Sequence, residues 1–377
     1  MSKSGQRHRD RGSITLRNLD RYVGIPVVAL VGALRAITGR RAVPDAPRSI
    51  GLIKASGIGD VVVLSGVLRD VREAFPEARL VLFTSANNDA FARLIDGPDE
   101  VIELPARNPF AAVWRVRRER LDVVIDCGMW PRLEALAASC SGAKCVIGMR
   151  TPRQYRHFGF DVPIEFGTDH EIQNDRNLVA PLGVISESNP VITRGDGNVR
   201  PLAGPYAVLH LWPGGSNSEE RSWPTSRWRE LAHILAATGL ELVLSGGPSD
   251  VTANDGLVSE WTAEGLKVRS ICGYSPIETV VWLRHAAGVV SVNTGIMHLA
   301  AAIGSPVVAL NGPTSVRRWG PIGPYVRCVV SPLVPAGYLN LGWERDERFK
   351  DAMSAITTEA VMKAWDDLRE ETASASA

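Results

Sequence analysis

The sequence predicts an α/β chain of two doubly wound, parallel-sheet domains, and three observations carry that prediction. Short apolar runs alternate with longer amphipathic stretches from residue 50 onward. The alternation stops in a polar, Gly-, Pro- and Asn-rich stretch from Ser186 to Pro205 and then restarts. The length, 377 residues, suits two domains at roughly 100–200 residues each.

Composition narrows the class. With 45% hydrophobic and 22% charged residues, disorder, collagen and coiled coil are excluded. Lys plus Arg (42) nearly balance Asp plus Glu (41), and a net charge of +1 argues against a general nucleic-acid binder. The five cysteines, Cys127, Cys140, Cys145, Cys272 and Cys328, form neither a disulfide framework nor a paired C-x-x-C zinc motif. Buried thiols in a reducing, cytosolic compartment fit them best.

The elements follow in order. Ile50–Lys54 reads as a strand, the small-residue loop 55–60 follows, and Val61–Phe75 reads as a helix ended by Pro76. Strands Leu80–Thr84, Val101–Leu104, Val123–Asp126 and Cys145–Gly148 alternate with helices Asn88–Ile95, Ala111–Arg120 and Ala135–Ser139. In the second half the strands are Ala207–Leu211, Glu241–Ser245, Val268–Ile271, Gly288–Val292 and Val307–Leu310. The helices there are Ser226–Thr238, Val251–Glu264, Pro276–His285, Ile296–Ile303 and Thr357–Leu368, with Glu371–Ala377 as a frayed tail. The expected division is a leader at 1–48, domains at 49–195 and 200–345, and a C-terminal helix and tail at 346–377. Ligands in such sheets bind beyond the carboxyl ends of the strands.

The leader holds ten Lys/Arg and three acids. Its thirteen uncharged residues, Tyr22 to Leu34, rise about 20 Å as a helix, short of the roughly 30 Å hydrocarbon core. No cleavage site of the signal-peptide kind follows. Arg7, Arg9, Arg11, Arg17 and Arg21 before the apolar run, and Arg35, Arg40 and Arg41 after it, suit a segment lying on an anionic cytoplasmic leaflet. The other reading is a helix packed on the body.

Three loops carry candidate chemistry. Gly57-Ile58-Gly59-Asp60 joins a strand to a helix, where small residues permit close approach and Asp60 is either a helix cap or a reactive carboxylate. The loop from Trp212 to Trp223 offers Ser216 and Ser218 as donors to phosphate oxygens, with Arg221 as a planar fork for a diphosphate. Asn293-Thr294-Gly295 opens a helix whose N–H groups suit an anion, and His298 follows one turn in.

The blocks Lys54-Ala-Ser-Gly-Ile-Gly-Asp60, Pro213-Gly-Gly-Ser…Arg221-Ser-Trp-Pro, Gly246-Gly-Pro and Asn293-Thr-Gly-Ile-Met-His298…Gly312-Pro-Thr…Arg318-Trp-Gly-Pro321 resemble, in family order, glycosyltransferase family 9, the lipopolysaccharide heptosyltransferases. The resemblance spans about residues 49–325 and implies a GT-B architecture of two Rossmann-like domains facing a central cleft. It implies an inverting, metal-independent transfer without a cofactor, and the chain contains no Asp-x-Asp pair. A nucleotide sugar, ADP-heptose, would be the donor and a lipopolysaccharide-type glycolipid or oligosaccharide the acceptor. By the same resemblance Asp60 is the general base, and Arg221 stands where a Lys usually neutralises the diphosphate. Thr294, Gly295 and His298 form the phosphate turn, Asp250 meets the ribose and the Tyr274 backbone meets the base. Asn293 replaces an Asp that contacts the donor sugar. Gly57, Gly59, Trp130, Arg132 and Arg153 are acceptor-side candidates, with Arg150, Arg156 and His157 beside them and Arg317 and Arg318 able to serve similarly.

Two alternatives remain open: a GT-B enzyme using another nucleotide sugar for capsule or small-molecule glycosides, and a silent nucleotide- or glycan-binding scaffold at the membrane. A dehydrogenase reading is weaker, because Val62 stands where the third glycine of Gly-x-Gly-x-x-Gly belongs.

Overall fold

Apolar runs of four to six residues, buried almost throughout, are the mark of strands covered on both faces, and they form the interior of the two six-stranded sheets found among the described residues. The computed structural model describes residue 18 and residues 20–105, 108–129, 131–195, 200–215, 218–339, 344 and 346–376. Trp130, Ser216 and the arginines at 7, 9, 11 and 17 lie outside them. Two compact units meet at Arg194–Gly195, inside the polar stretch Ser186–Pro205.

The N-terminal unit holds β1 (Ser49–Ile53), β2 (Arg79–Thr84), β3 (Glu100–Glu103), β4 (Val123–Asp126), β5 (Cys145–Arg150) and β6 (Val162–Glu165). Their order is β3-β2-β1-β4-β5-β6, and every pairing is parallel. The C-terminal unit holds β7 (Tyr206–His210), β8 (Glu241–Ser245), β9 (Val268–Ser270), β10 (Gly288–Val292), β11 (Val307–Asn311) and β12 (Val326–Val330). Its order, β12-β11-β10-β7-β8-β9, is the same topology, again all parallel. Both are the 3-2-1-4-5-6 Rossmann arrangement, in which strand order reverses between the first and fourth strands. The switch points are therefore β1/β4 and β7/β10.

The described residues of the leader belong to the N-terminal unit. Helix α1 (Gly24–Thr38) has Val28 fully buried, and Gly32 lies so close to Phe158 that a Cβ there would stand 2.6 Å from the Phe158 Cβ. Arg35 donates from Nη1 to Asp161 Oδ2 (2.5 Å) and from Nη2 to the Ser139 carbonyl (2.8 Å). That carbonyl ends helix α4 (Arg132–Ser139), which follows α2 (Ile58–Ala74) and α3 (Pro109–Arg118), so a cation sits at the negative end of α4. At the other end, Asp20 accepts from the backbone N–H groups of Arg132 (2.7 Å) and Leu133 (3.3 Å) and from Arg132 Nη1 (2.9 Å). The packed reading of the leader thus describes one face of α1, while its opposite face leaves Leu30, Leu34 and Ile37 exposed. Among the described residues, no helix is long and apolar enough to cross a membrane.

Other expectations need correction. The predicted helix Asn88–Ile95 is only the turn Asp89–Ala92, because the Asn88 side chain folds back, accepting from Ser85 N (2.9 Å) and donating to the Lys54 carbonyl (2.8 Å). Helix α5 (Glu171–Val179), β6 and β12 are additional elements. In the C-terminal unit α6 (Thr225–Ala237), α7 (Val251–Ala263), α8 (Pro276–Arg284) and α9 (Gly295–Ala302) lie within a residue or so of their expected bounds, but the supposed frayed tail is helical. Helix α10 runs from Thr358 to Ser376, with Trp365 buried against Gly288 and Glu371 paired to Arg327 at 2.6 Å.

Because Asp20 caps α4, Asp20→Ala should lower stability by about 1 kcal/mol. Urea unfolding measures that loss, and limited trypsin digestion should show faster cleavage after Arg21 than in the parent chain. An unchanged midpoint and cleavage rate would mean that the cap contributes nothing.

Candidate active site

The N-terminal switch point is built on a buried lysine. Lys54 directly follows β1, and its Nζ donates to Asp175 Oδ1 (2.9 Å), Asp175 Oδ2 (3.1 Å), Glu171 Oε1 (3.4 Å) and the Cys127 carbonyl (3.0 Å). Burial works against the ammonium, but Asp175 and then Glu171 outweigh it and raise the Lys54 pKa. Beyond the lysine the chain turns through Gly57, the N-cap of α2, to Asp60 at its third helical position. Asp60 Oδ2 accepts the Gly57 N–H at 2.8 Å and closes the turn, while Oδ1 is buried without a hydrogen-bond partner. The cap therefore occupies only one of the two Asp60 oxygens.

Beyond β4 the chemistry is also acidic. Asp126 Oδ2 accepts from Arg156 Nη2 at 2.6 Å with both side chains wholly buried, and Arg156 Nη1 donates to the Gly128 carbonyl. Glu134, on α4, is buried with its Oε2 unpartnered, and a Cβ at Gly128 would stand 1.9 Å from that oxygen. Burial, then the charge of Asp126, pushes the Glu134 carboxyl up to about 8. Burial likewise pushes Asp175 up to about 7, against the pull of Lys54. The unit thus gathers Asp60, Asp126, Glu134, Glu171 and Asp175 around two cations, an environment suited to taking up a proton.

The acceptor-side candidates separate. Gly57 and Gly59 stand in the turn before Asp60. Arg132 is buried and engaged by Asp20 and by Gln154 Oε1 (2.6 Å), so it ties the leader down rather than presenting a free guanidinium. Arg156 is the internal counter-ion of Asp126. Arg153 is exposed after β5 with φ at 61°, a left-handed conformation unusual for a side-chain-bearing residue.

The C-terminal switch point has the opposite character. Arg221 ends the turn Glu219–Arg221 after β7, donating from Nη1 to the Asn293 carbonyl (3.3 Å) and from Nη2 to the Gly214 carbonyl. It links the loops after β7 and β10, and burial pushes its pKa down to about 10. Thr294 is the N-cap of α9 and makes no side-chain cap bond, so the first N–H groups, from Gly295 on, have no side-chain acceptor at Thr294. Met297 and His298 are buried in the same helix. Ser218 gives its carbonyl to Arg221 N (3.1 Å) and to Ser222 Oγ (2.9 Å).

Asn293 has a structural reason to be an amide. Its Nδ2 donates to Asn311 Oδ1 (3.1 Å) and to the Trp319 carbonyl (3.1 Å). An aspartate there would face that carbonyl with no proton to give. Asp250 Oδ2 accepts the Gly247 N–H (2.8 Å), repeating the cap that Asp60 makes. Tyr274 is half-exposed and edge-on to Trp282, ring centroids 6.5 Å apart. Sequence reasoning missed Glu134, Asn311 and the partners of Lys54. A lone acid in the apolar run Leu133–Ala138 was the signal for Glu134.

Stability should report the Glu134 carboxyl. A pKa raised on folding means that its contribution is full below about 4, the ordinary Glu range, and is lost as pH rises through about 8. Glu134→Gln should therefore flatten the fall in Tm between about pH 5 and 8. Parallel pH profiles in the parent and the variant would show that Glu134 does not titrate there.

Three comparisons bear on kinship. The family model described as "Glycosyltransferase family 9 (heptosyltransferase)" matches residues 162–337. Lipopolysaccharide heptosyltransferase 1 of Escherichia coli K12 is 28% identical over 302 residues, covering 72% of this chain and 90% of that one. Its Salmonella typhimurium LT2 namesake is 33% identical over 133 residues, 35% of this chain, and the matched stretch spans only 39% of that relative. A solved structure, E. coli ADP-heptose lipopolysaccharide heptosyltransferase II, aligns with a TM-score of 0.70 at 18% identity, over 86% of this chain and 99% of that one. At such identity the structural likeness speaks for the GT-B fold, and the sequence matches speak for the family. The chain is thus similar to the heptosyltransferases of glycosyltransferase family 9, whose model it matches over residues 162–337.

Proposed function

We propose that the chain is an inverting, metal-independent transferase that moves heptose from ADP-heptose onto a lipopolysaccharide-type glycolipid or oligosaccharide at the cytoplasmic face of a membrane. The observation that carries the reading is the divided carboxylate of Asp60, whose Oδ2 closes its own turn and whose buried Oδ1 has no partner. The names of the relatives support heptose, and ADP-heptose is named with the E. coli heptosyltransferase II.

In this mechanism Asp60 Oδ1 accepts the proton of an acceptor hydroxyl. The freed oxygen attacks the anomeric carbon from the face opposite the diphosphate. The new C–O bond forms as the bond to the diphosphate oxygen breaks, so configuration inverts and ADP leaves with the electron pair. Arg221 and the N–H groups opening α9 meet the charge that develops on that leaving group, and His298 lies one turn further in. Asp250 and Tyr274 hold the nucleoside, Ser216 and Ser218 assist at phosphate, and Asn293 contacts the sugar. Gly57, Gly59 and Arg153 serve the acceptor, and Trp130 is assigned to it from the sequence alone. The exposed face of α1 rests on anionic lipid, which brings a lipid-linked acceptor within reach.

Calorimetry with ADP, UDP, GDP and CDP, followed by consumption of ADP-heptose, tests the reading. Selective ADP binding is expected, and Asp60→Asn should lower transfer by at least about a hundredfold while leaving ADP affinity nearly unchanged. Preference for another nucleotide would discard heptose, and the absence of nucleotide binding would overturn the transferase mechanism.

A second prediction concerns the sugar contact. Asn293→Asp should destabilise the C-terminal unit by about 1–3 kcal/mol, because a carboxylate would meet the Trp319 carbonyl. Unaltered urea unfolding together with unaltered donor use would remove Asn293 from both roles.

A further inference from the structure

The N-terminal unit has a crevice that the transfer mechanism does not use. Its volume is about 340 Å³, and Ala29, Gly32, Ala33, Phe158 and Phe160 line it together with Arg35 and Arg40. Small-molecule sites begin at about 300 Å³, so the space suits part of a ligand of that class. No acid lines it. Arg35 is balanced by Asp161, whereas Arg40 is exposed and has no ion-pair partner among the described residues. The crevice therefore joins an apolar lining to an uncompensated cation.

The same helix says where such a ligand comes from. Positions 28, 32 and 35 dock α1 on the unit, 29 and 33 form the crevice wall one step round, and 30, 34 and 37 form the ridge beyond. On that ridge Leu30, Leu34 and Ile37 are 63%, 58% and 83% exposed. An apolar ridge beside an apolar crevice with a basic edge matches the boundary of an anionic bilayer.

We propose that this crevice is a binding site for an anionic glycerophospholipid of the bilayer surface, with the headgroup phosphate on Arg40 and the first acyl carbons against Ala29, Ala33 and Phe158. The site rests on the reading that α1 lies on the membrane, and it adds a lipid-selective seat to a non-selective apolar contact. Because α1 is docked on the unit, one bound lipid fixes how the whole unit is turned on the membrane, which a smooth apolar ridge alone leaves free.

The probe is dihexanoyl-phosphatidylglycerol, titrated below micelle formation into the full chain by calorimetry. One lipid should bind per chain, at least about tenfold more tightly than dihexanoyl-phosphatidylcholine, and glycerol phosphate alone should fail to bind. Arg40→Glu, a surface change that leaves the fold intact, should weaken phosphatidylglycerol by a similar factor, and Ala33→Trp should abolish binding by filling the space. Equal affinity for the two lipids, binding of glycerol phosphate as tight as the lipid, or indifference to both substitutions would overturn the proposal. Flotation on phosphatidylglycerol vesicles, repeated with Leu30→Ser/Leu34→Ser, tests the ridge separately. Flotation that depends on the ridge, without any binding of the soluble lipid, would sink the crevice and leave the membrane reading standing; loss of both would sink both.

Discussion

The ammonium of Lys54 is the constraint on which the N-terminal site depends. It stands at the carboxyl end of the first strand, where order in the sheet reverses, and it joins three segments: β1 through its own backbone, the loop after β4 through the Cys127 carbonyl, and α5 through Asp175 and Glu171. A buried charge is retained only when its partners are in place, and removing one partner costs about 3–5 kcal/mol. The backbone next to the lysine is fixed too, because its carbonyl receives Asn88 Nδ2. Asp60 is thus presented from a turn held at both ends.

The two switch points share a topology and differ in electrostatics, and the difference follows from which residues the strand ends carry. Around the ends of β1 and β4 gather five carboxyl groups and two cations, drawn from those strand ends, from α4, from the segment after β5 and from α5, with burial raising the pKa of Asp126, Glu134 and Asp175. After β7 and β10 come Arg221, a helix start without a side-chain cap, and amides linked to one another. One set can take a proton; the other can meet a diphosphate. The same strand order therefore carries two different electrostatic settings, an acidic one in the N-terminal unit and a basic and amide-rich one in the C-terminal unit.

Most of the strand ladder was legible because buried parallel strands announce themselves as apolar runs. Glu241–Ser245 and Gly288–Val292 have the same bounds in the sequence and in the structure. What escaped was stabilised from a distance. Helix α5 reads as polar, and its two inward acids are explained only by a lysine more than a hundred residues earlier. The tail beyond Leu368 is held as helix by α10 packing on the sheet and by the Arg327–Glu371 pair. Within the site, the loops were visible as small residues at strand ends. Which oxygen of Asp60 is occupied, and that Arg132 is committed to Asp20, are matters of tertiary contact that no spacing encodes.

The leader shows how one short helix can be packed on one face and left apolar and exposed on the other. Its thirteen uncharged residues are too few to cross a bilayer, and burying all of them against the unit would need a groove closing round the whole helix. Instead Gly32 permits close contact on one side, where a Cβ would already collide with Phe158, and Arg35 secures that side to Asp161 and to the end of α4. Once that face is fixed, the helical period leaves Leu30, Leu34 and Ile37 no interior to enter. Apolar surface of this kind is costly in water, at about 25 cal/mol per Å² left exposed. Asp20, Arg132 and Arg35 oppose release of the leader from the unit, so in the proposed membrane role that surface leaves water together with the whole unit.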